Sequence, residues 1–354
     1  MQPLSVGLIL VFALASGLLY PELRSPPEPP SPKAPVLSPL TNTGGTPFRD
    51  QADWVGARKA LLVEWKEILG PFPPSVPLAV TVLSTEELPD HTRLRLRYAI
   101  DARTDTEAYL LLPKGFRGRR PGMVVLHQTT PNHMDEPVGL QGRESMHLAL
   151  QLVRKGYVCI VPRNFLWSHP GLSYQQVTDE VLQPRGGFRW KTGLARMTWD
   201  AIRATDVLAA RREVDDHRIG NIGHSLGGKE VLYHAAFDPR IKAAVSCEGG
   251  VGLSFSNWDA DWYLGKQIRA ADFHHDQHEV LALVAPRAFL LIGGESADGA
   301  QSWPYVEMNL PIWRLFRAEE RLGLLRHDHG HDFPGPGAER EQVYGWLDHW
   351  LAKR

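Results

Sequence analysis

The sequence predicts an α/β fold, a mainly parallel sheet of eight strands with helices on both faces. Three observations carry that expectation. A continuous apolar run at 123–126, and short largely apolar runs at 219–222, 241–246 and 288–292, read as strands of a sheet core. Segments of helical period separate most of them, the alternation of a βαβ chain. One run ends in Gly223-His224-Ser225-Leu226-Gly227, and a helical pattern starts directly after it.

The N-terminus stands apart from that pattern. Residues 4–19 are nearly all apolar, broken by Ser5, Gly7, Ser16 and Gly17. The stretch reads as a secretory signal h-region or as a retained membrane anchor. No Lys or Arg precedes it and no clear A-x-A site follows. Both readings imply an exported protein, periplasmic or extracellular, with membrane attachment in the second. Residues 21–50 are crowded with Pro, Ser and Thr, as in Pro26-Pro27-Glu28-Pro29-Pro30, and read as a linker rather than a packed element. The folded domain is expected over 51–354.

Its first element is a helix over 52–69, where Trp54, Ala57, Ala60, Leu61, Trp65 and Ile68 share one face and Gly70-Pro71 ends the pattern. Arg93-Leu94-Arg95-Leu96-Arg97-Tyr98 alternates as a strand with one wet face should, and 108–112 is its partner. These two form the antiparallel edge. Strands at 123–126, 157–161, 219–222, 241–246, 288–292 and 322–325 follow, with helices at 144–154, 192–211, 226–237, 306–318 and 338–351. A long loop runs through Trp167, Gly171 and Pro184, and an insertion occupies roughly 249–285. The chain carries 39 basic and 40 acidic residues, which leaves no electrostatic footprint for nucleic acid. Cys159 and Cys247 sit in apolar runs, too few for a disulfide scaffold and without metal-ligand spacing.

The chemistry centres on Ser225. A serine hydroxyl is a weak nucleophile until a base takes its proton. The G-x-S-x-G turn between a strand and a helix exposes such a serine, its glycines leaving room for the sharp bend. The Leu226 amide then opens the helix and points toward developing negative charge. The base is expected on a loop late in the chain, where His327-Asp328-His329-Gly330-His331 offers three histidines. His331, after a glycine and before the last helix, is the first choice and His329 the second. Alternation of the three is too weak a pattern to imply a metal site. The acid is open between Glu248, at the end of the 241–246 strand, and Asp298 or Glu295, after the 288–292 strand. The loop His127-Gln128-Thr129-Thr130 supplies the second oxyanion donor, the Gln128 amide.

Together these segments resemble the α/β-hydrolases, specifically the branch of dienelactone hydrolases and acetyl xylan esterases. The likeness spans roughly residues 75–352 and joins the His127-Gln128 loop, the Ser225 turn and Gly330-His331 in the family's order. A closer likeness is to the glucuronoyl esterases. There the acid follows the strand after the nucleophile helix, which favours Glu248 in Cys247-Glu248-Gly249-Gly250. Those enzymes also carry a lysine four residues after the serine that binds sugar hydroxyls, the place of Lys229. They usually have an arginine directly after the serine. This chain has Leu226, which removes that side chain and keeps the backbone donor.

From the residues alone, Lys229 reads equally as a solvated helix position. Trp258 and Trp262 in the insertion either line a carbohydrate or aromatic cleft or pack the insertion onto the body. His274, His275 and His278 read as surface residues. The expectation is a serine-dependent hydrolase of a small-molecule or carbohydrate carboxylic ester that needs no cofactor. A serine peptidase on the same fold and a binding module with a decayed site are the alternatives.

Overall fold

The computed structural model describes residues 20–42, 44–184 and 187–352. Residues 4–19, read above as a signal or an anchor, lie outside them. Among the described residues no helix is long and apolar enough to cross a membrane.

Helix α1 (Gln51–Leu69) is capped by the Asp50 side chain, which accepts from the Asp53 amide at 2.9 Å, and buries Trp54, Trp65 and Leu69. It ends at Gly70, whose φ of 104° is closed to most side chains. Three antiparallel strands follow, β1 (Thr81–Glu87), β2 (His91–Ala99) and β3 (Asp105–Pro113). The alternating part is β4 (Arg120–Leu126), α2 (Leu148–Arg154), β5 (Val158–Pro162), α3 (Tyr174–Leu182), α4 (Gly193–Ala209), β6 (Val214–His224), α5 (Leu226–Phe237), β7 (Ile241–Cys247), α6 (Gln277–Ala282), β8 (Ala288–Gly293), α7 (Trp303–Leu315), β9 (Leu322–Arg326) and α8 (Ala338–Trp350).

The sheet has nine strands in the order β1-β2-β3-β5-β4-β6-β7-β8-β9, and β5 through β9 run parallel. The count of eight fell short by β1. Every residue of β1 is exposed, so no apolar alternation marks it in the sequence. Register lines up the carboxyl ends of the central strands: Leu126 pairs with Gly223, Gly223 with Ser246, and Cys247 with Ile292. The strand order switches at β4 and β5, and in such sheets the carboxyl edge at a switch point is the usual place for a ligand. One apolar cluster packs on each face of the sheet.

The stretch 21–50 is not a free tether. Leu23 and Leu37 are buried in the two core clusters, and Leu23 seats against Gly323 of β9. The backbone carbonyl of Ser38 lies 3.0 Å from His278 Nε2. Two apolar side chains spaced 14 apart in a proline-rich segment show no period that would mark them as packed. His278 is correspondingly buried, not a surface residue.

Candidate active site

Ser225 sits between β6 and α5 with φ 56° and ψ −117°, a conformation that L-residues rarely hold. The neighbouring chain forces the flanking glycines. A Cβ on Gly223 would stand 2.4 Å from the Gly227 carbonyl oxygen, and one on Gly227 only 2.0 Å from that of Leu126. The Ser225 amide donates to the Cys247 carbonyl at 2.9 Å, which ties the turn to β7.

His331 and Glu248 converge on this serine. His331 Nε2 is 2.9 Å from Ser225 Oγ, and its Nδ1 is 3.0 Å from Glu248 Oε2. Glu248 follows β7 at a φ of 50° and its side chain is fully buried. Its carboxylate accepts from the Gly294 amide and, at 2.6 Å, from the Ala297 amide. A carboxylate held by two backbone donors stays an acceptor, so Nδ1 carries the ring proton and Nε2 is left to accept the serine hydroxyl. The loop bearing His331 rests on β8, since a Cβ on Gly294 would meet the Gly330 carbonyl oxygen at 2.0 Å.

The other candidate acids and bases go elsewhere. Asp298 is fully buried, but its carboxylate accepts from the Gly250 and Val251 amides at 2.7 and 2.8 Å and from Ser302 Oγ at 2.7 Å. It orders the start of the insertion, and burial raises its pKa above the usual carboxylate value. Glu295 pairs with Arg326 at 2.5 Å. His329 faces Glu339 at 3.2 Å, and His327 Nδ1 accepts from the His329 amide at 3.1 Å.

Leu226 is the first residue of α5, where an amide has no intrahelical acceptor. The Gln128 side chain is bound into its own loop: Nε2 donates to Glu136 at 2.8 Å, and Oε1 accepts from Arg143 at 3.3 Å. What Gln128 can offer a substrate is its backbone amide.

Two expected substrate contacts are corrected. Trp258 is fully buried, its Nε1 donating to the Gly250 carbonyl at 2.7 Å, so it packs the insertion onto α5. Lys229 is also buried. Its ammonium donates to the Gly249 carbonyl and, at 2.5 Å, to Ser256 Oγ, and lies 4.3 Å from the centre of the Trp258 ring. Burial pulls its pKa down from the ordinary lysine value while Asp298 opposes the shift. The solvated reading of Lys229 fails for the same reason. Trp262 is half-buried, and its ring lies 6.2 Å from Tyr174, which is 5.1 Å from Trp167, itself 4.9 Å from His127. An aromatic row thus leads from the Gln128 loop outward.

Several site residues carried no sequence signal. Arg143 pairs with Asp332 at 2.8 Å, joining the Gln128 loop to the loop that bears His331. His224 is buried with both ring nitrogens unpartnered, its ring 4.9 Å from that of His331, and burial holds its pKa well below the ordinary value. It therefore stays neutral beside the base.

Residues 106–271 match the family model described as the dienelactone hydrolase family. The chain contains a dienelactone hydrolase family domain. A relative from Bacillus subtilis (strain 168), YtaP, whose name places it only among hydrolases, is 25% identical over 236 residues, 64% of this chain and 77% of that protein. The domain's fold recurs in a glucuronoyl esterase from Solibacter usitatus, with a TM-score of 0.72 at 19% identity over 91% of this chain and 100% of that one. A glucuronoyl esterase from Teredinibacter turnerae matches with a TM-score of 0.65 at 21% identity over 89% of each chain. An acetyl xylan esterase from Paenibacillus matches at 0.53 and 17%, over 90% of this chain and 97% of that one. The dienelactone hydrolase domain is thus set in the α/β-hydrolase fold.

Proposed function

We propose that this protein is a serine-dependent carboxylic ester hydrolase acting on a carbohydrate-linked or small acyl substrate. The observation that carries the reading is the line of hydrogen bonds from Ser225 through His331 to the buried Glu248. Ser225 Oγ attacks the ester carbonyl as its proton passes to His331 Nε2. The Leu226 and Gln128 amides receive the oxyanion. His331 gives the proton to the departing alcohol, then activates water to release the acid, and Glu248 stabilises the imidazolium at both stages.

The His331 side chain is 43% exposed although its acid is fully buried. A base this open to solvent suits an ester displayed on a large substrate. Trp262, at the end of the aromatic row, is placed to meet a sugar or aromatic ring. The resemblance in fold to proteins named glucuronoyl and acetyl xylan esterases supports an ester on a carbohydrate. Residues 4–19 support export, and sequencing the mature N-terminus separates a cleaved signal from a retained anchor.

The test is hydrolysis of acetyl, feruloyl and glucuronoyl esters by the parent and by Ser225→Ala, with fluorophosphonate labelling of both. The parent is expected to be labelled at Ser225 and to turn over at least one ester. Full activity of Ser225→Ala would remove the proposal.

A further inference from the structure

At the amino ends of the central strands, opposite the candidate active site, the surface holds a cationic pocket. It encloses about 410 Å³, and Arg218, Lys242, Arg287, Arg321, Trp350 and Asp215 stand in its wall. Four basic side chains therefore face one carboxylate. Lys242 lies at the start of β7, and Arg287 and Arg321 directly precede β8 and β9.

Carbonyls, more than carboxylates, hold these cations. Arg218 Nε donates to the Leu351 carbonyl at 2.5 Å, and Asp215 stands 3.9 Å from the Arg218 guanidinium. Arg287 is half-buried and donates to the carbonyls of Asp238 and Ile241 at 3.0 and 2.8 Å. The Asp238 carboxylate attracts it from farther off but is itself held by Arg240 at 2.7 Å. Burial lowers the Arg287 pKa to about 10, so the guanidinium stays charged at neutral pH. Lys242 is exposed and donates to the Pro239 carbonyl at 3.1 Å. Arg321 donates to the Pro286 carbonyl at 3.4 Å and lies 5.2 Å from the centre of the half-buried Trp350 ring. Cations gathered this closely repel one another, and a phosphate group answers both kinds, the guanidinium by its fork and the ammonium as a point charge.

The position of the pocket says which phosphate. Tyr20, the residue that follows the apolar stretch 4–19, packs on α8, where a Cβ on Gly345 would stand 3.6 Å from its hydroxyl. Trp350 lies farther along the same helix, about 8 Å from Gly345 in axial rise. The pocket thus sits beside the point where the apolar stretch joins the domain. A tryptophan ring next to basic side chains is also the composition that settles at lipid head groups. The seven residues of β7, about 20 Å, separate this end from the edge that carries Ser225 and Glu248. A bilayer against the pocket leaves that edge facing away from the membrane.

We propose that this pocket binds the phosphate head group of an anionic membrane phospholipid and so seats the domain with its catalytic edge turned outward. The proposal does not depend on the hydrolase reading. Its test is acetylation of the full chain by a membrane-impermeant amine reagent, in vesicles of phosphatidylcholine alone or mixed with phosphatidylglycerol, with mass spectrometry reading each lysine. Phosphatidylglycerol is expected to slow modification of Lys242 by about five-fold or more, the effect of one basic residue at an anionic bilayer. Lys266, exposed in the insertion that follows β7, should react equally in both. Calorimetric titration with glycerophosphoglycerol, the soluble head group, is the second arm. Lys242→Gln should bind it about five-fold more weakly than the parent, and Lys266→Gln should match the parent. Equal reactivity of Lys242 in the two vesicles, equal protection of Lys266, or an unchanged Kd in Lys242→Gln would each overturn the proposal. Binding of glycerophosphoglycerol without protection of Lys242 by vesicles would assign the pocket to a free phosphate and overturn the membrane assignment. No turnover is measured, so failure of the esterase assay and failure of this test are separate results.

Discussion

Replacing Glu248 by glutamine distinguishes an acid that orients the base from one that only orders a loop. The Glu248 carboxylate accepts from three groups, the Gly294 amide, the Ala297 amide and His331 Nδ1. A glutamine offers one oxygen and one NH2, and all three neighbours are donors. At least one must face the NH2. The imidazole is the one that can answer by moving its proton to Nε2, which puts an N–H against Ser225 and abolishes the base. The expected fall in kcat is about 10⁴-fold, or roughly 5.5 kcal/mol on the barrier. Stability changes less, by about 1–3 kcal/mol if one backbone donor is left unpaired. Asp298→Asn should give the reverse. Its three donors hold the insertion, so each one left unpaired costs about 1–3 kcal/mol, while kcat stays within about ten-fold of the parent. Steady-state hydrolysis of 4-nitrophenyl acetate, with calorimetric Tm values for both variants, reads the two effects separately. The reasoning is refuted if Glu248→Gln keeps kcat within about ten-fold of the parent, or if Asp298→Asn loses activity at an unchanged Tm.

Three other outcomes are expected. Ser225→Gly abolishes turnover yet raises stability by about 1 kcal/mol, because relief of about 1–3 kcal/mol of backbone strain exceeds the added chain entropy of glycine; thermal unfolding reads it. Gly227→Ala places a methyl 2.0 Å from the Leu126 carbonyl oxygen and should destabilise by more than about 4 kcal/mol, seen as loss of soluble protein or a collapsed urea midpoint. Acid should weaken the fold through His127 and His278, whose pKa values burial lowers from 6.5 to about 4. Below pH 6.5 the unfolded chain binds the protons that the folded chain refuses. Stability is therefore full above that value and falls toward pH 4, by about 2 kcal/mol per histidine at pH 5. Urea unfolding across this range measures it, and a flat profile contradicts the assignment. For His127 the geometry agrees, since a proton on Nε2 would oppose the Asn164 N–H that it now accepts.

Much of the fold was legible because burial on both faces leaves a continuous apolar run, as in the later part of β4 and in β8. Where burial was lacking the pattern was silent, and β1 was lost for that reason. The helix α3 was missed despite a local mark, the Ser173 capping box with Gln176, because its segment is mostly polar. The site was legible in proportion to its dependence on backbone. The turn at Ser225 announces itself through glycines, and Gly330 marks the loop before His331. Links between side chains far apart in sequence leave no such mark, as with Arg143 and Asp332 or the aromatic row from His127 to Trp262. Burial of Lys229 and Trp258 was hidden because each depends on how the insertion folds back over α5.

The acid's anchorage to β8 separates what the chain can vary from what it must keep. Glu248 is held by the amides of residues 294 and 297, not by their side chains. Position 297 is therefore free to exchange residues among all that keep an N–H, proline alone being barred. Position 294 must remain glycine because the Gly330 carbonyl oxygen occupies the space of a Cβ. The spacing between the two tolerates no insertion or deletion. This four-residue span thus sets a fixed ruler beside a wide range of permitted sequence.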